Sequence, residues 1–172
     1  MAGVIVAVVL VATACGSGVG DDEQSRQRSV ASTEQSLRAQ GLTRVTLRIR
    51  AADGSVQEHC VWLADEQIER QRGLSGIEDT SIGGADAMVF TFDADTSAEF
   101  WMKDTVVPLS IAWVDGNGGF VGSADMDPCP PDGTCTRFAS PRPYRLAVEV
   151  PRGRLEDWGI GPGSTLSMQG AC

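Results

Sequence analysis

Five cysteines punctuate this chain, and four of them, Cys60, Cys129, Cys135 and Cys172, constrain what it can fold into more tightly than any other feature. An even set of cysteines in an exported chain defaults to disulfides, and four cysteines leave three pairings open. Cys129 and Cys135 enclose a Pro131-Asp132-Gly133 turn that folds the two sulfurs toward each other, which favours a local ring. Cys60 and Cys172 then pair by exclusion. Chain entropy assigns about 2.4 kcal/mol to closing the short ring and about 4.8 kcal/mol to the long one. The long bridge would anchor the C-terminus. Zinc is the competing use, because His59 adjoins Cys60. Neighbours on a strand point to opposite faces, however, and the five-residue gap between Cys129 and Cys135 is not the usual two to four. A catalytic thiol meets the same difficulty, since His59 is the only histidine.

Export is read from the first residues. From Ala2 to Ala14 every residue is apolar or small and none is charged, the pattern of a secretion signal, and the run is too short to span a bilayer. We read 1–14 as a signal peptide. It ends Ala12-Thr13-Ala14-Cys15-Gly16, which resembles the lipobox of bacterial lipoproteins. The resemblance implies that Cys15 becomes the lipidated N-terminus and that the chain is held on the outer side of the cell membrane. No Lys or Arg precedes the run, and Ala12 stands where that pattern more often has Leu or Val.

Residues 15–40 are rich in Gly, Ser, Gln and charge, with almost no large apolar residue, and are expected to be a flexible tether. A helix over Ser32 to Gln40 would be marginal without an apolar face. Residues 41–172 remain for one compact domain, read as a monomer and needing no cofactor. The net charge of -9 argues against a nucleic-acid partner, because phosphate binding needs concentrated Lys and Arg.

Within that domain, Val45, Leu47 and Ile49 alternate with Arg44, Thr46, Arg48 and Arg50, the period-2 pattern of a half-buried strand. Asp53-Gly54 turns it into a second strand, Val56 to Ala64, forming a hairpin. Asp65 is placed to cap a short helix that ends at Gly73. Further strands are expected over 87–92, 99–103, 109–115, 120–126, 136–140, 144–150 and 164–168, with one helical turn over 155–158. Strands outnumber helices, so the fold class is α+β, mainly β: an antiparallel sheet rolled into a small barrel or sandwich with one or two short helices.

Several blocks, in order, resemble the bacterial and archaeal family called domain of unknown function 192. They are Glu69-Arg70-Gln71-Arg72-Gly73-Leu74, Ala87 to Phe92, Phe100-Trp101-Met102-Lys103-Asp104-Thr105 with Pro108-Leu109, Met126-Asp127-Pro128-Cys129, and Leu146 to Val150 leading to Gly159 to Gly163. The Phe-Trp-Met-Lys block is the specific part. Ser75, Ala87 and Ser110 stand where the family usually has Met, Gly and Asp. The resemblance implies a compact, mainly β domain and no settled activity.

On a strand through Glu99 to Lys103, Phe100 and Met102 share one face while Glu99, Trp101 and Lys103 share the other. Trp101 and Lys103, joined by Arg70 or Arg72 from the helix, would make a pocket for a small anionic or sugar-like ligand. The plainer alternative has Trp101 capping the core and Lys103 pairing with Glu99 or Asp104. Asp93, Asp95, Ser97, Glu99 and Asp104 echo a calcium loop, but Ala98 stands where the sharp turn requires Gly. Carboxylate pairs such as Asp125 with Asp127, or Glu149 with Glu156, offer acid-base chemistry in principle. No Gly-x-Ser-x-Gly elbow or phosphate loop is present. The first expectation is a non-enzymatic, ligand-binding lipoprotein of the cell envelope. The alternatives are a carboxylate-based hydrolase and a module that assembles protein partners.

Overall fold

A computed structural model describes residues 19–172; the expected signal peptide and Cys15 lie outside the described residues. Three helices and nine strands follow one another: α1 (Val19–Ala39), β1 (Thr43–Arg50), β2 (Val56–Ala64), α2 (Gln67–Arg72), β3 (Met88–Thr96), β4 (Phe100–Trp101), β5 (Leu109–Val114), β6 (Phe120–Met126), β7 (Arg137–Phe138), β8 (Tyr144–Pro151), α3 (Arg154–Asp157) and β9 (Thr165–Ala171). The fold is α+β and mainly β.

Seven strands form one sheet in the order β6-β5-β8-β3-β2-β1-β9, and β4 pairs with β7 in a separate short ribbon. The β1-β2 hairpin closes where Gly54 N–H donates to the Ala51 carbonyl at 3.0 Å. Two details depart from a rolled antiparallel sheet. The β2-β3 pair is parallel, and α2 with the loop over 73–87 supplies the long crossover that a parallel pair requires. The sheet also does not close into a barrel. Its edge regions meet only at a Gly119–Thr165 bridge, where Leu166 N–H donates to the Gly118 carbonyl at 2.8 Å. Gly118 permits that approach, because a Cβ there would lie 2.5 Å from the Leu166 oxygen.

The central strands are covered on both faces, so their sequences run nearly continuously apolar. One face carries Met88 and Phe90 of β3, Ile111 and Trp113 of β5 and Ala147 of β8. The other carries Val89, Val114, Val148 and Val150, over which Leu47, Ile49 and Leu166 fold and which Trp158 and Ile160 close. The first face has only the short β4-β7 ribbon, and no larger sheet, above it. It is covered by pieces: Leu37 at the end of α1, Leu74, Ile77 and Ile82 from the loop, and Phe100, Met102 and Val107.

Where only a marginal helix from Ser32 is expected, α1 runs from Val19 to Ala39. Its surface carries spaced pairs, Gln27 to Glu23 and Arg38 to Glu34, which support a helix without an apolar stripe. Leu37 near its end is wholly buried and anchors it. Both expected cysteine pairs are at bonding distance, Cys60 with Cys172 and Cys129 with Cys135. Two disulfides in one domain mark an oxidising, extracytoplasmic compartment. Among the described residues, no helix is long and apolar enough to cross a membrane.

Candidate functional site

The patchwork cover of the first face leaves a cleft of about 550 Å³ between α2 and the β4-β7 ribbon. Local sequence sets each wall. Glu69 folds back so that its carboxylate accepts from the Asp65 and Glu66 N–H groups at 3.1 and 3.0 Å, so Glu69, and not Asp65 as expected, satisfies the start of α2. Gly73 ends the helix in the left-handed region at φ 51°, and a Cβ there would meet Phe90 at 3.4 Å. Glycine therefore lets the chain turn closely over Phe90, which lines the cleft. On the opposite wall, the buried Tyr144 hydroxyl donates to the Ala98 carbonyl at 2.8 Å and its ring meets Phe92 edge-on. Burial pushes that phenol's pKa up, so it stays a donor.

Four cations line this space: Arg70 and Arg72 from α2, Lys103 beyond β4, and Arg137 of β7. Arg70 is fixed by donating to the Asp65 and Thr91 carbonyls, with its guanidinium 5.1 Å from the Phe92 ring. Register positions Arg137: it pairs directly with Trp101 across the ribbon, and its guanidinium lies 3.6 Å from the indole centroid. The Lys103 ammonium lies 5.8 Å from the same ring. Stacking satisfies the flat face of a guanidinium and leaves its N–H edge free for an oxyanion. Trp101 itself is 41% exposed, while Phe100 and Met102 face the core, as strand alternation predicts.

The electrostatics of the cleft contrast with those of the chain. Among the described residues, seven arginines have a carboxylate within 4 Å, and none of the four cleft cations is one of them. Lys103 is also the chain's single lysine. A protein of net charge -9 thus gathers four of its fourteen basic side chains around one opening. Two acids share the space, Glu99 and Glu149. Glu149 is only 5% exposed, and burial alone pushes its carboxyl up to about 8, so at neutral pH it is mostly uncharged. On the far side of the ribbon a second groove of about 590 Å³ runs to the Cys129–Cys135 ring and shares Trp101, Lys103, Thr105 and Arg137 with the cleft.

Arg70, Arg72, Trp101 and Lys103, singled out from sequence, therefore line a single cleft. Sequence reasoning did not supply Arg137 or place Glu149 there. The signal for Arg137 is non-local, a strand pairing between distant segments. Glu149 carried a local signal, a lone acid inside Leu146-Ala147-Val148-Glu149-Val150. The suggested pair of Glu149 with Glu156 does not form, because Glu156 lies on a different groove beside α3. Asp125 accepts from the buried Ser110 hydroxyl at 2.5 Å, and Asp127 pairs with Arg152 at 2.7 Å. Of the calcium-loop acids, Asp95 pairs with Arg145 at 2.9 Å, and no cluster of metal-ligating side chains occurs among the described residues. His59 stacks on Trp158 with centroids 3.7 Å apart, and desolvation lowers its pKa.

No protein with a curated description matches the chain. Its fold is similar to the crystal structure of "a putative transcription regulator" from Sinorhizobium meliloti 1021, with 22% identity, a TM-score of 0.63, and 73% of this chain and 93% of that one covered. It is also similar to a protein of unknown function from Novosphingobium aromaticivorans, with 25% identity, a TM-score of 0.61, and 72% and 84% covered. These likenesses concern the fold. The sequence pattern of domain of unknown function 192, described as "Uncharacterized ACR", matches residues 48–168, a span that contains both helices of the domain, the β4-β7 ribbon and every residue of the cleft, and this chain belongs to that family.

Proposed function

We propose that this protein is a cell-envelope lipoprotein whose domain binds a small anionic, sugar-like ligand in the cleft, without transforming it. The observation that carries the reading is the gathering of four cations lacking carboxylate partners in one cleft, two of them, Arg137 and Lys103, against the ring of Trp101. Cations held close together repel one another, and an acidic chain has carboxylates to spare for neutralising them. Leaving them open favours an anion that is absent until it binds, and the exposed indole offers the face of a sugar ring an apolar platform. The lipid anchor at Cys15 would keep the site at the membrane surface, reached by the segment that includes α1. The experiment is calorimetric titration of N-acetylmuramic acid, which combines a sugar ring with a carboxylate, against the neutral N-acetylglucosamine. Millimolar or tighter binding of the anionic sugar, at least tenfold weaker binding of the neutral one, and loss of binding in Trp101→Ala are expected. Equal binding by wild type and Trp101→Ala, or no binding of the anionic sugar, overturns the reading.

One observation favours a second reading: Glu99 and Glu149 line the same cleft, and a pair of carboxyl groups is what carboxylate-based hydrolysis uses. Release of reducing sugar from cell-wall glycan that stops in both Glu99→Gln and Glu149→Gln would establish it. Absence of turnover leaves the binding reading.

A further inference from the structure

We propose that Glu149 selects the ligand, its buried and unpartnered carboxyl hydrogen-bonding to a neutral oxygen at the ligand's inner end. This rests on the cleft being a binding site and adds what its buried end recognises.

Glu149 lies on β8, in the middle of the sheet, with Met88 of β3 and Ile111 of β5 as its cross-strand neighbours. Neither strand brings a charge to it there. Among the described residues it has no hydrogen-bond or ion-pair partner, yet it lines the cleft. An unpartnered buried carboxylate is among the costliest groups a protein can hold, so such a side chain keeps its proton or waits for a partner.

The other charged groups around the cleft do not relieve it. Arg70 of α2 is committed to two backbone carbonyls, Arg137 of β7 is stacked on Trp101, and Arg72, Lys103 and Glu99 line the walls. Burial is what raises its proton affinity, and none of these cations lies within ion-pair distance of it. The cleft therefore combines cations on its walls with a neutral, donating group on the buried sheet. A ligand that suits both carries its anionic group at one end and an uncharged carbonyl or hydroxyl oxygen at the other. An N-acyl sugar acid has this form, whereas a molecule with an anion at each end would set a charge against Glu149 as soon as the proton left.

The test is calorimetric titration of N-acetylmuramic acid into the full chain between pH 6 and 9.5, using wild type, Glu149→Gln and Glu149→Leu. Gln keeps an N–H donor that does not titrate, so its binding should stay level across the range apart from any dependence it shares with wild type. Wild type should weaken toward tenfold per pH unit above about 8 relative to Gln, as the donor proton is lost. Leu should bind at least tenfold more weakly than Gln at every pH, with its folded state verified by thermal unfolding. Identical pH profiles for wild type and Gln, or wild-type affinity in Leu, overturn the inference. If those results come with binding that still requires Trp101, only the role of Glu149 falls. If wild type binds at no pH, the cleft reading falls and this inference with it.

Discussion

On one side of β8, Val148 and Val150 are shut into a core that Trp158 and Ile160 seal. On the other side, from the residue between them, Glu149 opens onto a cleft covered only by loops and a two-residue ribbon. The same strand thus serves both. The sealed face is lined by buried apolar side chains, so it supplies stability in proportion to the area it buries. The open face holds a buried acid without a partner and four cations without carboxylates, arrangements that cost stability and that packing alone would not keep. Their separation means that a change on the sealed face should leave the cleft's affinity intact, whereas the open face sets both the affinity and a pH-dependent part of the stability.

The largest effect is expected where the open face holds the stability back. Unfolded, Glu149 loses its proton near the ordinary 4.5, while folded it keeps it up to about 8. Between those values the folded state binds more protons, so stability falls as pH rises from about 4.5 to about 8 and is level above. Glu149→Gln escapes this loss. Its advantage over wild type should be near zero at pH 4 and grow to as much as about 5 kcal/mol above pH 8. Urea unfolding at pH 4, 6 and 8.5 measures it, and a pH-independent difference would contradict the buried acid.

Next comes the sealed face. Ile49→Ala removes a wholly buried side chain and should cost about 3 kcal/mol, read by the urea midpoint, with ligand affinity unchanged. An affinity loss as large as the stability loss would show that the faces are coupled. Replacing both Cys129 and Cys135 by Ser should cost about 2 kcal/mol. It should also loosen Arg137, two residues beyond the ring, and so weaken anion binding. Unchanged binding after that replacement would separate the ring from the site. The smallest stability effect belongs to Arg72→Ala at the exposed cleft wall, within about 0.5 kcal/mol, with affinity for an anionic ligand down severalfold. A stability loss above 1 kcal/mol there would make Arg72 a structural residue.

Much of this was legible in advance because it is written locally. The limits of β1, β2 and β6 follow from alternation and turn residues, and the short cysteine ring from Pro-Asp-Gly. Trp101 and Lys103 share an exposed face because Phe100 and Met102 between and beside them are buried. What escaped is non-local. The parallel β2-β3 pairing depends on where the chain returns after 73–87, although that long excursion was itself the sign that a tight hairpin could not connect the two strands. Arg137 reaches Trp101 through the register of a ribbon whose strands lie far apart in sequence. Glu149 could have been found: a single acid in a strand apolar on both faces has no solvent side to turn to. The helix α1 escaped for the opposite reason, since polar spaced pairs hold it and one leucine docks it.

That Lys103 is the chain's single lysine has a practical consequence. Apart from the α-amino group, an amine-reactive dye, cross-linker or resin has one place to attach, and that place is the mouth of the cleft beside Trp101. The molecule carries its own address for a reporter: the rate of Lys103 acylation should slow whenever something occupies the cleft, which turns the search for a natural ligand into a competition assay that can be run on crude envelope extracts.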